Sequence, residues 1–381
     1  MTTVLQKRLI PTHLADLFSS SQFKKITFMT VILMVIFCTY FSLQAANNSP
    51  TRDFAAFYYG SKVVLDSSLP NSSAYDGDLI PSLYSKYEIP IEPLEYLYSI
   101  PVAYLLSPIT LFSYTSAKIV WSILSLVIYL LSVILILRWR WVSGAQFNVL
   151  LSVSLIWIPI YLNQFWLQSN SLILFLIVIA LLAASKQRHY LSGSVLALAA
   201  LFKLFPLAIA MVLGLKNWRI IVGFVVVFGL SMLIPGSTDW FTRIAEVHHP
   251  NYTTTYRLLD DNWVYVYVIV IAGITALVTW LKRDADYAML AAIAIPAALL
   301  TSPVVGGYYL VIAIFSYVYL FTVERPKWLV AFLVASLCLT DFIAIIYDQY
   351  TIGLLVLWVV TLAYLLVPMY IYTRADPENG S

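Results

Sequence analysis

Charge is the scarcest thing in this sequence. Only 11% of the 381 residues are charged, 61% are hydrophobic, and the mean hydropathy is +0.85. A soluble core wrapped in a polar shell cannot be built from that composition, which is that of a polytopic membrane protein. Cysteine is nearly absent too. Cys38 and Cys338 both lie in apolar segments, which excludes a disulfide framework and a cysteine metal centre. There is no P-loop, no G-x-G-x-x-G after a strand, and no Ser, His and Asp set in a nucleophile context, so the usual nucleotide-binding and hydrolase signatures are missing. No repeat and no low-complexity stretch divides the chain, which reads as a single integral domain over 1–381.

What is abundant is apolar sequence. Runs suited to a bilayer are Ile26–Ala46, Ser116–Leu137, Phe147–Leu162, Ser171–Ser185, Ile220–Pro235, Trp263–Leu281, Tyr287–Leu300, Tyr308–Thr322, Trp328–Ile346 and Thr351–Thr373. The breaks between them alternate in charge. One face collects 15 of the 22 Lys and Arg but 6 of the 19 acids, a balance of +9 that leaves −6 on the other. The positive-inside rule makes the first face cytoplasmic, with both termini there and a cytoplasmic lead over 1–25. A plasma-membrane location fits this. The overall +3 averages two opposed surfaces and gives no reason to expect a nucleic-acid partner. "LQAA" before Asn47 is a poor cleavage site, and the polar lead before Lys24 favours a membrane anchor over a cleaved signal peptide.

Two long stretches fall on the outer face, 47–113 and 236–262. In the first, Pro101 and Pro108 interrupt Tyr96–Phe112 too often for a span, and interfacial helices suit it better. Tyr190–Leu215 is flanked by cytoplasmic charge on both sides, so it must enter and return. Its 26 residues give about 13 per arm against the ~20 needed to cross. The spacing predicts a short, re-entrant-like helical hairpin over 190–215 with "KLFP", Lys203 to Pro206, at its tip. A lysine at that depth calls for a polar cavity opening outward.

Candidate functional residues gather on the same side. Asp53, after Arg52, reads as a helix cap or surface ion pair, or as a general base at the membrane surface. Lys203 either snorkels to the interface or contacts a phosphate oxygen. Gln168 and Asn170 in "NQFWLQSN" suit sugar hydroxyls, although capping of the next helix is the simpler local account for Asn170. Phe165 and Trp166 fit interfacial anchors. In "EVHHPNYTTTYRLLDDNW", Arg257 is a second candidate for phosphate. His248 and His249 with Asp260 and Asp261 lack repeated ligand spacing, so no metal is expected. "YDGD", Tyr75 to Asp78, reads as a turn.

In order and placement, "RDFAAFYYGSKVV", "SAYD", "YLYSIPVAYLLSPITLFSYTSAKIVW", "LQSN", "GSVLALAALFKLFP", "DDNW" and "SPVVGGYY" resemble the polyprenyl-phosphate-sugar-dependent glycosyltransferases of family 87, over roughly 47–309. The resemblance implies an all-α GT-C-type bundle of about 10 to 12 transmembrane helices. It implies Asp53 as base and Lys203 at the donor phosphate; beside them Arg257 is a second phosphate candidate or a solvated loop charge, and Arg52, Gln168, Asn170, Asp261, Asn262 and Tyr308 are the candidates at sugar and acceptor. No cofactor is implied. The partners would be a polyprenyl-phosphate-linked sugar and a glycan or glycolipid acceptor, meeting on the extracytoplasmic side. Two departures stand out: Leu167 replaces the family's glycine before Gln168, and Gly306 and Tyr308 replace its Trp and His after Ser302-Pro303. A transporter or flippase is the rival from another class, but no inverted repeat is visible and the acids gather in the outer loops. A non-catalytic lipid-binding homologue is the third reading.

Overall fold

The computed structural model describes residues 20–48, 52–246, 261–302, 307–322 and 350–366. Among these residues every regular element is helical. The first is α1, Ser21–Asn48, followed by three short helices, α2 (Arg52–Leu65), α3 (Ile80–Lys86) and α4 (Ile100–Leu106). Next come α5 (Tyr114–Trp139), α6 (Gly144–Ile156) and α7 (Ile158–Phe165).

By length and composition α1 and α5 are able to cross a membrane, and α6 with α7 makes a third crossing if the pair counts as one span bent by 47°. The sequence reads Phe147–Leu162 as one continuous run, yet the chain breaks at Trp157. Pro159 is the physical reason. With no N–H it cannot donate to the Leu155 carbonyl four residues back. That carbonyl accepts instead from Tyr161 Oη at 2.8 Å and from Cys38 Sγ at 3.5 Å.

The remaining helices are α8 (Asn170–Ser185), α9 (His189–Phe202), α10 (Pro206–Lys216), α11 (Arg219–Met232), α12 (Asp239–Glu246), α13 (Asp261–Leu281), α14 (Tyr287–Leu300), α15 (Leu310–Thr322) and α16 (Tyr350–Leu366). Most are apolar but short. At 1.5 Å per residue the 14 residues of α9 rise about 21 Å, against a hydrocarbon core of about 30 Å. The run Trp328–Ile346 lies outside the described residues.

Two glycines fix how the short helices pack. A Cβ on Gly193 of α9 would strike the carbonyl of Ile220, and one on Gly223 of α11 would strike that of Tyr190. The first turns of α9 and α11 therefore lie backbone to backbone, as small residues allow helices to do in membranes. Since both helices start at one level, α10 must bring the chain back to it. Lys203 stands at the far end of this excursion, between α9 and α10. The alanine-rich α14 is buried along nearly its whole length, against α10, α13, α15 and α16.

Candidate active site

Asp53 sits in the first turn of α2. Aromatic packing holds this helix. Phe57 lies 4.4 Å from the Tyr98 ring and 5.7 Å from Trp121, and Phe54 lies 6.4 Å from Trp121. Ser61 Oγ donates to the Ala103 carbonyl at 3.1 Å. The aromatics after Asp53 are thus a wedge that locks its helix against α5 and the segment before α4.

Lys203 ends α9 in extended backbone, φ −154° and ψ 136°, and Pro206 opens α10 three residues later. Pro206 suits the first position of α10, where its missing N–H has no intrahelical partner to lose; Phe205 before it keeps helical backbone, φ −59° and ψ −26°, so the break between the arms lies at Lys203. Gln168 and Asn170 come from the turn into α8. Tyr308 and Tyr309 lie on a short 3-10 turn before α15.

These elements converge. Lys203 Nζ donates to Gln168 Oε1 at 3.0 Å and to Asn170 Oδ1 at 3.1 Å, and lies 3.8 Å from the Tyr309 ring centre and 5.2 Å from that of Tyr308. Asp53 lines the same cavity as Gln168 and Lys203. Burial pushes the Asp53 carboxyl above its usual range, while the nearby Lys203 charge and the Gln168 amide pull it part of the way back. Asn170 Nδ2 donates to the Tyr308 carbonyl at 3.1 Å, tying α8 to the turn before α15.

Asp53, Gln168, Lys203 and Tyr308 open onto one cavity of about 690 Å³. Its polar end also holds Tyr98 and Trp240, and its body is apolar, running past Leu207, Met211 and Leu215 of α10 and Ala272 and Ala297 of α13 and α14. Leu207, Met211 and Leu215 are themselves 41%, 52% and 44% exposed, so the groove opens sideways along α10. The starts of α2, α8 and α10 border the polar end, and helix N-termini favour anions.

Several sequence-based candidates fare differently. Asn170 does not cap α8: the cap position is Ser169, with no side-chain cap bond, because the Asn170 amide is taken by Lys203 and the Tyr308 carbonyl. The acids of "YDGD" form a turn, with Asp76 Oδ1 accepting from the Asp78 amide at 3.0 Å. Arg257, His248, His249 and Asp260 lie outside the described residues, as do the side chains of Arg52, Asp261 and Asn262. Sequence reasoning missed Tyr98, Trp240 and Tyr309. Trp240 Nε1 donates to the Leu97 carbonyl at 2.9 Å, Tyr75 Oη to that of Tyr98 at 2.7 Å, and Ser99 Oγ to that of Leu201 at 2.9 Å. These bonds place Tyr98 at the cavity, and only its position inside "YLYS" could have flagged it.

The profile of glycosyltransferase family 87 matches residues 96–303, more than half of the chain. The chain belongs to glycosyltransferase family 87. No curated protein and no solved structure matches it. Within this family 87 protein the matched stretch carries Tyr98, Gln168, Asn170, Lys203 and Trp240, whereas Asp53 and Tyr308 flank it on either side. The cavity is where the matched and unmatched parts meet. It joins a desolvated acid and an ammonium at the mouth of an apolar groove, in a glycosyltransferase of the membrane.

Proposed function

We propose that this family 87 protein is an inverting transferase that moves a sugar, mannose in our reading, from a polyprenyl phosphate to a glycan or glycolipid acceptor. The reaction takes place at the extracytoplasmic face of the plasma membrane, with both termini in the cytoplasm. The observation that carries the reading is that Asp53 and Lys203 open onto the same cavity, which continues as an apolar groove along α10.

The chemistry follows from the leaving group. A lipid monophosphate is a weak base, so its departure needs charge stabilisation more than a proton. Lys203 supplies that charge, with Arg257 as a second contact. Asp53 takes the proton of the acceptor hydroxyl while its oxygen attacks the anomeric carbon. The new C–O bond forms as the bond to the phosphate oxygen breaks on the opposite face, and the polyprenyl phosphate leaves with the electron pair. We assign Arg52, Gln168, Asn170, Asp261, Asn262 and Tyr308 to recognition of the sugar and acceptor. The isoprenoid chain lies along α10.

The test is transfer of radiolabelled mannose, with arabinose in parallel, from polyprenyl phosphate to candidate acceptors by the purified full-length protein. Asp53→Asn should abolish transfer and leave donor binding largely intact. Full activity in that variant would remove Asp53 from the mechanism.

A further inference from the structure

We propose that the Tyr309 hydroxyl binds the phosphate of the lipid-linked donor, as a second hydrogen-bond donor beside the Lys203 ammonium. The inference rests on the reading of Lys203 as the phosphate contact and gives a task to a residue that has none in that reading.

Lys203 has fewer protons to offer an anion than its charge suggests. An ammonium carries three N–H groups. One is taken by Gln168 Oε1 at 3.0 Å and a second by Asn170 Oδ1 at 3.1 Å. The ammonium itself lies over the ring of Tyr309, 3.8 Å from its centre. A monophosphate presents several acceptor oxygens, so a site built on Lys203 alone leaves most of them unmatched.

Tyr309 supplies a further donor. Its side chain lines the cavity and is only 7% exposed. Among the described residues its hydroxyl has no hydrogen-bond partner, yet it is not one of the unpaired polar atoms sealed off from the cavity. An unbonded hydroxyl in an apolar wall is unfavourable, and an acceptor on a ligand removes that penalty. Phe205, between α9 and α10, flanks the ring at 6.2 Å, and Tyr308 flanks it at 5.1 Å. Asn170 ties the two donors together: Oδ1 accepts from Lys203, while Nδ2 donates to the Tyr308 carbonyl at 3.1 Å, one residue before Tyr309. One asparagine therefore sets the cation and the phenol relative to each other.

Tyr98 lines the same cavity, but its ring packs on Phe57 of the acid-bearing helix, at 4.4 Å. Tyr309 is the phenol beneath the ammonium. With the cation over its face, the hydroxyl at its edge lies within the span of one phosphate group. One phosphate oxygen can then take the remaining Lys203 N–H while the Tyr309 O–H donates to the same anion, both bonds strengthened by its charge.

The test removes a single oxygen. Tyr309→Phe in the full-length protein keeps the ring beneath Lys203 and deletes only the hydroxyl. Polyprenyl phosphate should bind about tenfold or more weakly, as expected for loss of a hydrogen bond to a charged group, while the uncharged polyprenol binds as before. In labelled-sugar transfer kcat/KM should fall by about the same factor. Without lipid, the melting temperature in detergent should hold or rise, because the deleted hydroxyl had no partner. A purely structural role predicts a lower melting temperature and equal losses for both lipids. That result, or unchanged affinity for polyprenyl phosphate, would overturn the inference. Should the variant fail to fold, a fluorinated tyrosine at position 309 of the otherwise unaltered protein decides. Its fluorine resonance should move with polyprenyl phosphate and not with polyprenol, and a resonance indifferent to the phosphate sinks the proposal. The outcomes separate from those of the underlying reading: a Lys203→Met variant with undiminished affinity for polyprenyl phosphate sinks the phosphate site itself, whereas an impaired Lys203→Met beside a normal Tyr309→Phe sinks only the part given to the hydroxyl.

Discussion

Replacing Lys203 by methionine keeps an unbranched side chain, one heavy atom shorter, and removes its charge. In the structure that ammonium lies 3.0 and 3.1 Å from two amide oxygens and 3.8 Å from an aromatic ring centre, with an apolar groove beyond it. A unit charge about 4 Å from a developing negative charge is worth on the order of 4 kcal/mol at an effective dielectric constant near 20. Loss of one oriented donor in such a site ordinarily costs about 10² to 10³ in rate, roughly 2.7–4 kcal/mol, so the two scales agree. Lys203→Met should therefore lower kcat/KM for the polyprenyl-phosphate donor by about 10² to 10³. Binding of polyprenyl phosphate should weaken while that of the uncharged polyprenol does not. The assay is labelled-sugar transfer with kcat and KM resolved, beside direct binding of the two lipids. Equal affinity for both lipids in wild type and variant, with transfer unimpaired, would show that the ammonium never meets the phosphate.

Other consequences are open to simpler measurements. In the proposed role Asp53 must be ionised, and its carboxyl lies above the usual range, so kcat/KM should be full above the folded-state value and fall as pH drops through it. A pH profile should place that acidic limb above the ~3.9 of a free aspartate. Gly193→Val drives a side chain into the Ile220 carbonyl and should cost about 1–3 kcal/mol or more, read as a lower melting temperature in detergent. An unchanged value would mean the two helices are not in backbone contact. Leu167→Gly relieves left-handed strain worth roughly 1–2 kcal/mol but empties a fully buried site worth about 2–5 kcal/mol. Burial wins, so thermal unfolding should shift downward; an upward shift would show that strain dominates.

The long helices were readable because length and apolarity suffice to define them: Ile26–Ala46 is the interior of α1, and Ser116–Leu137 that of α5. Helix starts set by one residue were equally visible in principle, such as Asp286, whose carboxylate accepts from the Met289 amide. Hydropathy does not reveal the break at Trp157, because the sequence is apolar on both sides of it and the constraint is the missing N–H of Pro159. The polar end of the cavity was half legible. Asp53 and Lys203 stand out as charges in an apolar chain, but Tyr98 and Trp240 are ordinary aromatics until a neighbour's carbonyl is known. Gln168 stands out in the sequence for its amide, but no sequence spacing shows that this amide accepts from the Lys203 ammonium.

The brevity of α9 and α10 bears on biogenesis. Neither arm is long enough for insertion machinery to treat as an independent crossing, so the pair gains its place only when the flanking segments close around it. Lys203 rides at the junction of these arms. The position of the cation therefore depends on the packing of the helices around the hairpin and not on either arm alone.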